Sequence, residues 1–318
     1  MWWSSNPADE QASKRDLARR LRKLERLFPV EQIRRERLEA PQVQAYYAEC
    51  DSAYRKHHSR EGAMHMALND GSRYNATGFA EHLRRIELGW DAAPPRTVLE
   101  IGFGQGFNLA WLAPRHPRLQ FEGIDLTVEH LQLARRRLAE HTNVRLHTAD
   151  LHRLPQPDAS FDEVFSIEAF CYASDVPRAL SEVHRVLRPG GRFTLFDGYQ
   201  EMPTTQLDAD AALATELVAR GAALERFQVP AELLAQASTA GFTEEAVVSL
   251  DTQVLPNLRR LDRMVGAIIR FEWLARHALS RRAAERNRNV LSGYLMHRLI
   301  AMGHLSYRQI VLRKSAAA

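Results

Sequence analysis

The sequence predicts an α/β fold: a parallel sheet with helices on both faces, extended by helical segments at its margins. Three observations predict it. An apolar strand, Thr97-Val98-Leu99-Glu100-Ile101, runs into a Gly102-Phe103-Gly104-Gln105-Gly106 loop and then a helix start at Phe107-Asn108-Leu109. Strand and helix patterns then alternate to about residue 200, the signature of a sheet with parallel strands. Before them stand Pro94-Pro95, which end helices and enforce extended backbone.

Taken in order, residues 1 to about 40 form a charged helix in which Leu17, Leu21, Leu24 and Leu27 recur at helical spacing. Residues 41–95 read as a second helical segment with a polar and aromatic patch from Tyr46 to Tyr74. The second strand, Leu119 to Leu126, ends in Asp125, and the helix Val128 to His141 follows. Val144 to His147 is the third strand and leads to Ala149-Asp150-Leu151. Phe161 to Glu168 is the fourth, and Val186 to Phe193 turns into the fifth. Beyond residue 200 the pattern loosens. Pro230 to Ala240 reads as a helix ended by Gly241, Glu245 to Leu250 as a strand, and Tyr307 to Arg313 as a final strand. The stretch from Leu255 to Gly303 is a helical insertion rich in arginine and aromatics.

Composition narrows the function. Apolar residues at 45% and charged residues at 26% are those of a globular chain. Two cysteines, Cys50 and Cys171, argue against a disulfide scaffold and fit a reducing cytoplasm. No stretch approaches the ~20 apolar residues of a membrane span, and the first residues lack the pattern of a signal peptide. Metal is not expected, because CxxC and His/Cys spacings are missing. The pI of about 9.2 invites a nucleic-acid reading. The basic residues between Lys14 and Arg37 instead form the outer face of an amphipathic helix, packed on the domain or on a second subunit. Nucleic acid is therefore not the expected partner, and the helical N-terminus and cap are where a homo-oligomer would form.

The glycine loop alone serves many nucleotides. A nicotinamide or flavin site wants Gly-x-Gly-x-x-Gly, whereas here the sixth position is Phe107 and the glycine comes one residue early at Gly106. Glu100 would also repel a pyrophosphate and suits a cationic ligand. Together, the loop behind Glu100, the acid ending the second strand, the Ala149-Asp150-Leu151 turn, the fourth strand and Arg188-Pro189-Gly190-Gly191 resemble the class I S-adenosylmethionine (SAM) methyltransferase family, over roughly Arg96 to Gly198. That resemblance implies a Rossmann-like seven-stranded sheet with an antiparallel last strand and a helical cap. It implies a division into residues 1–95, an N-terminal extension and lid, and 96–318, the SAM-binding core with its insertion at about 255–303.

By the same resemblance, Glu100 and the backbone of Gly102, Gly104 and Gly106 would hold the amino acid end of the cofactor. Asp125, with Leu126 beside it, would accept the ribose hydroxyls, and Asp150 with Leu151 would meet the adenine; Tyr46 and Ile167 complete the expected cofactor contacts. Plainer roles stand beside these, a helix cap for Asp125 and a turn for Asp150.

Base methyltransferases carry Asn/Asp-Pro-Pro-Tyr/Phe after the fourth strand, and here the chain reads Ser166-Ile167-Glu168-Ala169-Phe170-Cys171-Tyr172-Ala173. This is similar to the branch that methylates sterols, tocopherols and prenyl diphosphates at carbon, although the tryptophan-glycine pair expected before Met64-His65 is missing. An alkene acceptor becomes a carbocation on methylation, so Glu168 could stabilise the charge and take the proton. Tyr54, Phe170, Tyr172, Tyr199, Phe271 and Trp273 are candidate aromatic contacts, and Arg259, Arg260 and Arg263 candidate partners for a diphosphate. Two alternatives stay open. One is O- or N-methylation of an aromatic or amine product with His57, His58 or His65 as base; the other is a SAM-binding interaction protein without turnover.

Overall fold

The computed structural model describes residues 7–36, 58–91, 94–273, 275–276 and 284–315. The chain divides into two compact units. One holds the described residues of 51–198, 230–254 and 307–318, and the other those of 1–50, 199–229 and 255–306.

The first unit carries the sheet. Strands β1 (Thr97–Ile101), β2 (Gln120–Asp125), β3 (Val144–Thr148), β4 (Phe161–Ile167), β5 (Leu187–Gln200), β6 (Phe242–Ser249) and β7 (Leu305–Lys314) stand in the order β3-β2-β1-β4-β5-β7-β6. β1 pairs in parallel with β2 and β4, β2 with β3, and β4 with β5, while β7 runs antiparallel to β6. This is the expected seven-stranded sheet with helices on both sides. The order reverses between β1 and β4, so a crevice opens at their carboxyl ends, where such sheets bind ligands. β1 and β4 are buried on both faces, and Val98, Leu99, Val164 and Phe165 are each 0% exposed, which is why they read as apolar runs rather than alternating ones.

The helix Val176–Val186 shows how local sequence fixes an element. Asp175 caps it by accepting from the Arg178 amide, Pro177 sits in the first turn, and Ala179, Leu180, Val183 and Val186 form the buried face. Residues 41–95 were expected to be helical, and the described part differs. A 3-10 turn at Ala76–Ala80 and a helix at Glu81–Leu88 are its regular elements, whereas 59–75 runs without α-helix. The reason is where its amides donate. Ala63 N–H reaches Ser59 Oγ, Met66 N–H reaches Glu168, Leu68 N–H reaches the Gly78 carbonyl and Asn69 N–H the Gln253 carbonyl.

In the second unit the helix Pro7–Leu27 buries Leu17, Leu21 and Leu24 against the helices Ala209–Gly221 and Ala284–Ala301. Its one deeply buried cation is Arg20, which donates to Asp16, Asp262 and the Tyr294 carbonyl with its guanidinium 4.3 Å from the Tyr294 ring centre. The helix Ala209–Gly221, capped by Asp208 accepting from the Ala211 amide, has no counterpart in the sequence-based expectations.

Candidate functional site

The glycine loop leaves β1 in a left-handed path, with φ of 78° at Gly102, 51° at Gly104 and 76° at Gly106. A side chain at Gly102 would overlap Ala169 Cβ, and one at Gly104 would come within 2.9 Å of Met64 Sδ. Glycine is therefore required by conformation and by approach. Gly104 N–H donates to Asp125 Oδ2 at 2.8 Å, tying the loop to the end of β2.

Asp125 Oδ1 accepts from the Thr127 amide at 2.8 Å and lies 3.2 Å from His130 Nδ1. The carboxylate thus closes the turn into the helix Val128–Arg137 and braces the loop. Oδ2 carries one donor and has room for another. Leu126, next in the chain, is 37% exposed. Asp150 is exposed and accepts at Oδ1 from the amide and imidazole of His152. Burial pushes its pKa upward, and the two His152 bonds outweigh that and hold it below the usual carboxylate value. Leu151 is half-buried, and Ile167 ends β4 at 5% exposed.

Glu100 is fully buried. Asn108 Nδ2 donates to its Oε1 at 2.7 Å, while Oε2 has no hydrogen-bond partner among the described residues. Burial pushes Glu100 up to about 8, with the Asp125 charge adding to the rise against the Asn108 bond. The network continues to residues 59–68, a strap lying over the glycine loop with Met64 beside Gly104 and Gly62 beside Gln105. His65 Nε2 lies 3.0 Å from Asn108 Oδ1 and its Nδ1 3.1 Å from the Met66 carbonyl, so both ring nitrogens face oxygen acceptors. His58 Nε2 lies 2.8 Å from the His65 carbonyl. Burial lowers the His65 pKa.

Glu168 follows β4 at the crevice and adopts φ 51°, a left-handed conformation that is costly for a residue with a Cβ and clusters at functional sites. Its amide donates to the Phe196 carbonyl at 2.8 Å. Oε1 accepts from Met66 N–H at 2.7 Å and from the Tyr307 hydroxyl at 2.8 Å; Oε2 makes no hydrogen bond among the described residues. Tyr307 Oη is in turn 3.0 Å from His82 Nε2. Burial pushes Glu168 up to about 8, with Asp197 contributing, against the pull of its two donors. Asp197, itself pushed by burial up to about 7, accepts from the Cys171 and Gly198 amides.

The structure thus gathers Glu100, the glycine loop, Asp125, Ile167, Glu168, His58 and His65 in one unit. Of the expected acceptor contacts there, Tyr172 is half-buried, whereas Phe170 is 1% exposed and packs edge-on against Phe193. Its ring belongs to the core behind the crevice. Tyr46, Tyr54 and His57 lie outside the described residues. Tyr199, Arg259, Arg260, Arg263, Phe271 and Trp273 belong to the other unit. In it Tyr199 is 2% exposed, Arg259 donates to His297, Arg263 donates to the Arg259 carbonyl, and Phe271 and Trp273 are 52% and 71% exposed. Asn108, Tyr307, His82 and Asp197 were missed. A polar residue in the first turn after the glycine loop was the available signal for Asn108.

Residues 99–195 match the family described as "Methyltransferase domain". Over these residues the chain is similar to a methyltransferase domain. Among curated relatives, a malonyl-[acyl-carrier protein] O-methyltransferase of Halorhodospira halophila is 42% identical over 97 residues, 30% of this chain and 33% of that protein. A demethylmenaquinone methyltransferase of Deinococcus radiodurans is 36% identical over 121 residues, 35% of this chain and 50% of that protein. The chain spans only a third to a half of the length of these two relatives. In fold it resembles a mycolic acid cyclopropane synthase complexed with S-adenosylhomocysteine (SAH), with TM-score 0.71 at 18% identity over 86% of this chain and 97% of that one. A geranyl diphosphate C-methyltransferase from Streptomyces coelicolor gives TM-score 0.57 at 16% identity over 87% of this chain and 100% of that one.

Proposed function

We propose that this chain methylates a small apolar acceptor at carbon, an alkene of isoprenoid type, with Glu168 as the carboxylate that takes up the released proton. Bound SAM supplies an electrophilic methyl group that needs no activation by the protein. The residues fit it: the partnerless oxygen of Glu100 and the open glycine backbone suit an ammonium-bearing amino acid end, and Asp125 Oδ2 has a free acceptor position for a ribose hydroxyl. Leu126, Asp150, Leu151, Ile167 and Tyr46 complete the proposed cofactor contacts. The division into an extension over 1–95 and a core over 96–318 enters through the strap Ser59–Leu68, which lies over the glycine loop.

One observation carries the acceptor side: Glu168 is held in a strained conformation by two donors on Oε1, leaving Oε2 for the acceptor. In alkene methylation the acceptor's π electrons would form the new carbon–carbon bond as the methyl–sulfur bond breaks and its electron pair stays on sulfur, leaving the neighbouring carbon positive. An adjacent C–H bond then supplies the electron pair of the restored double bond, and its proton goes to Glu168 Oε2. In its ionised form, which gains population as pH rises toward about 8, the carboxylate stabilises the positive charge before accepting that proton. The names of the demethylmenaquinone relative and the geranyl diphosphate neighbour agree with an acceptor of this kind. Tyr172 stays proposed as an apolar contact.

The O-methyltransferase relative favours the second reading, oxygen or nitrogen methylation with a strap histidine as base. Incubation with labelled SAM against prenyl diphosphates, sterols, quinols, phenols and amines tests the class of acceptor. Glu168→Gln should then lower turnover by roughly 10²–10⁴-fold, the usual contribution of a positioned acid or base, with cofactor affinity little changed. Near-normal turnover of that variant on the true substrate would favour the second reading. Absence of single-turnover methyl transfer across the panel, with SAM bound, would favour a binding protein.

A further inference from the structure

Two residues that no sequence pattern marked stand behind Glu168. The Tyr307 hydroxyl, at the start of β7, and His82, on the helix Glu81–Leu88, form a line ending on Glu168 Oε1, with bonds of 2.8 and 3.0 Å. Both side chains are buried, Tyr307 at 4% and His82 at 0% exposure. A hydroxyl has a single hydrogen. Tyr307 gives it to Glu168, which leaves its oxygen lone pairs for His82 Nε2, 3.0 Å away.

We propose that Tyr307, oriented by His82, is the positioning residue for Glu168, holding Oε1 so that Oε2 alone faces the acceptor. This rests on the reading of Glu168 as the proton acceptor. The line fits positioning rather than proton conduction. Burial pushes His82 well below the usual imidazole range, with His65 and Arg85 adding to the shift, so it stays neutral and is no sink for a proton. When Oε2 takes a proton, Oε1 still accepts from Tyr307 and from the Met66 amide, and no partner has to turn. A site whose donors need no reorganisation at the moment of transfer is preorganised in the useful sense.

The groups around Glu168 define what a variant should do. Tyr307 comes from β7, Met66 N–H from the strap, Cys171 from the 3-10 turn after β4, Asp197 from within β5, and His82, with His65 and Arg85 near it, lies behind Tyr307. The two donors favour the ionised carboxylate and Asp197 disfavours it. Removing the phenol hydroxyl must therefore raise the Glu168 midpoint.

The test uses the full chain and its carboxylic acid C=O stretch, followed by infrared titration; the Glu168 band is the one lost in Glu168→Gln. Tyr307→Phe keeps the ring and removes the hydroxyl. The expected result is an upward shift of that band's midpoint by about one pH unit, the scale of one hydrogen bond to a charged group, with unchanged SAH affinity. His82→Leu should shift it in the same direction, and His82→Gln, whose amide can still donate to Tyr307, should restore most of the original value. A Glu168 midpoint that stays in place in both Tyr307→Phe and His82→Leu overturns the proposal. The titration is independent of turnover, so near-normal activity of Glu168→Gln would sink the proton-acceptor reading without touching this result. With a substrate in hand, Tyr307→Phe should lower kcat about tenfold, leave KM for SAM unchanged and move the acid limb of the kcat profile to higher pH by the same shift.

Discussion

Replacing Glu100 with Gln should make the ligand-free protein more stable while removing the pH dependence of its cofactor affinity. The folded carboxyl is pushed by burial to about 8, against an ordinary value of 4.5. A raised folded pKa contributes stability that is fully present below about pH 4.5 and lost as pH rises through about 8. At pH 8 that loss amounts to about 4 kcal/mol, at roughly 1.4 kcal/mol per pH unit. Gln keeps the acceptor for Asn108 but leaves one polar atom without a partner, at a cost of about 1–3 kcal/mol. The net expectation is a gain of about 1–3 kcal/mol at pH 8 that disappears at pH 5, read from chemical denaturation at the two pH values. In the wild type about 1% of Glu100 is ionised at pH 6 and about half at pH 8, so affinity for SAH should rise about 50-fold across that range. Calorimetry in buffers of different ionisation enthalpy should show a proton released on binding. In Glu100→Gln the slope and the released proton should both vanish, and affinity at pH 8 should fall. A wild-type affinity that is flat from pH 6 to 8, or a slope that survives in the variant, would refute the assignment of Glu100 to the cofactor's cationic end.

Asp125→Ala should weaken SAM binding by about 1.5–3 kcal/mol, the range for hydrogen bonds to a charged group; unchanged affinity by calorimetry would reduce Asp125 to a brace for the loop. Amide exchange at Ala63, Met66 and Leu68 should slow when SAH binds, and equal protection with and without ligand would remove the strap from the cofactor site. Gly104→Ala must keep φ 51° and displace Met64, so SAH affinity should drop at least tenfold with the fold retained by circular dichroism. In the second unit, Arg20→Ala leaves Asp16 and Asp262 without their shared buried cation and should cost on the order of 3 kcal/mol in denaturant titration.

Much of this was legible in the sequence, and the limits have physical causes. β1, β2, β4 and β7 fall within two residues of the runs that marked them, and for β1 and β4 the reason is burial on both faces, which leaves little room for polar alternation. Gly102, Gly104 and Gly106 were readable because few other residues tolerate their backbone. The left-handed turn at Glu168 was not, since nothing about glutamate announces φ 51°; the surrounding bonds to Phe196, Met66 and Tyr307 impose it. Tyr307 is separated from Glu168 by 139 positions, and read in its own neighbourhood it is simply an aromatic residue entering a strand. Residues 41–95 read as a helical segment with a polar and aromatic patch, but the amides within 59–75 find partners elsewhere in the fold, and local propensity yields to that.

Three successive residues of the strap touch three different things: Met64 lies against Gly104, His65 meets Asn108, and the Met66 amide holds Glu168. A segment fastened this way dictates a sequence of events. The Met66 amide already holds Glu168, so a cofactor entering past Met64 meets a carboxylate already in place; the expected kinetics are a compulsory order, with SAM entering first and SAH departing last. Steady-state kinetics would show it as SAH inhibition that is competitive against SAM and noncompetitive against the acceptor; acceptor binding to the protein without SAM, read by calorimetry, would refute it.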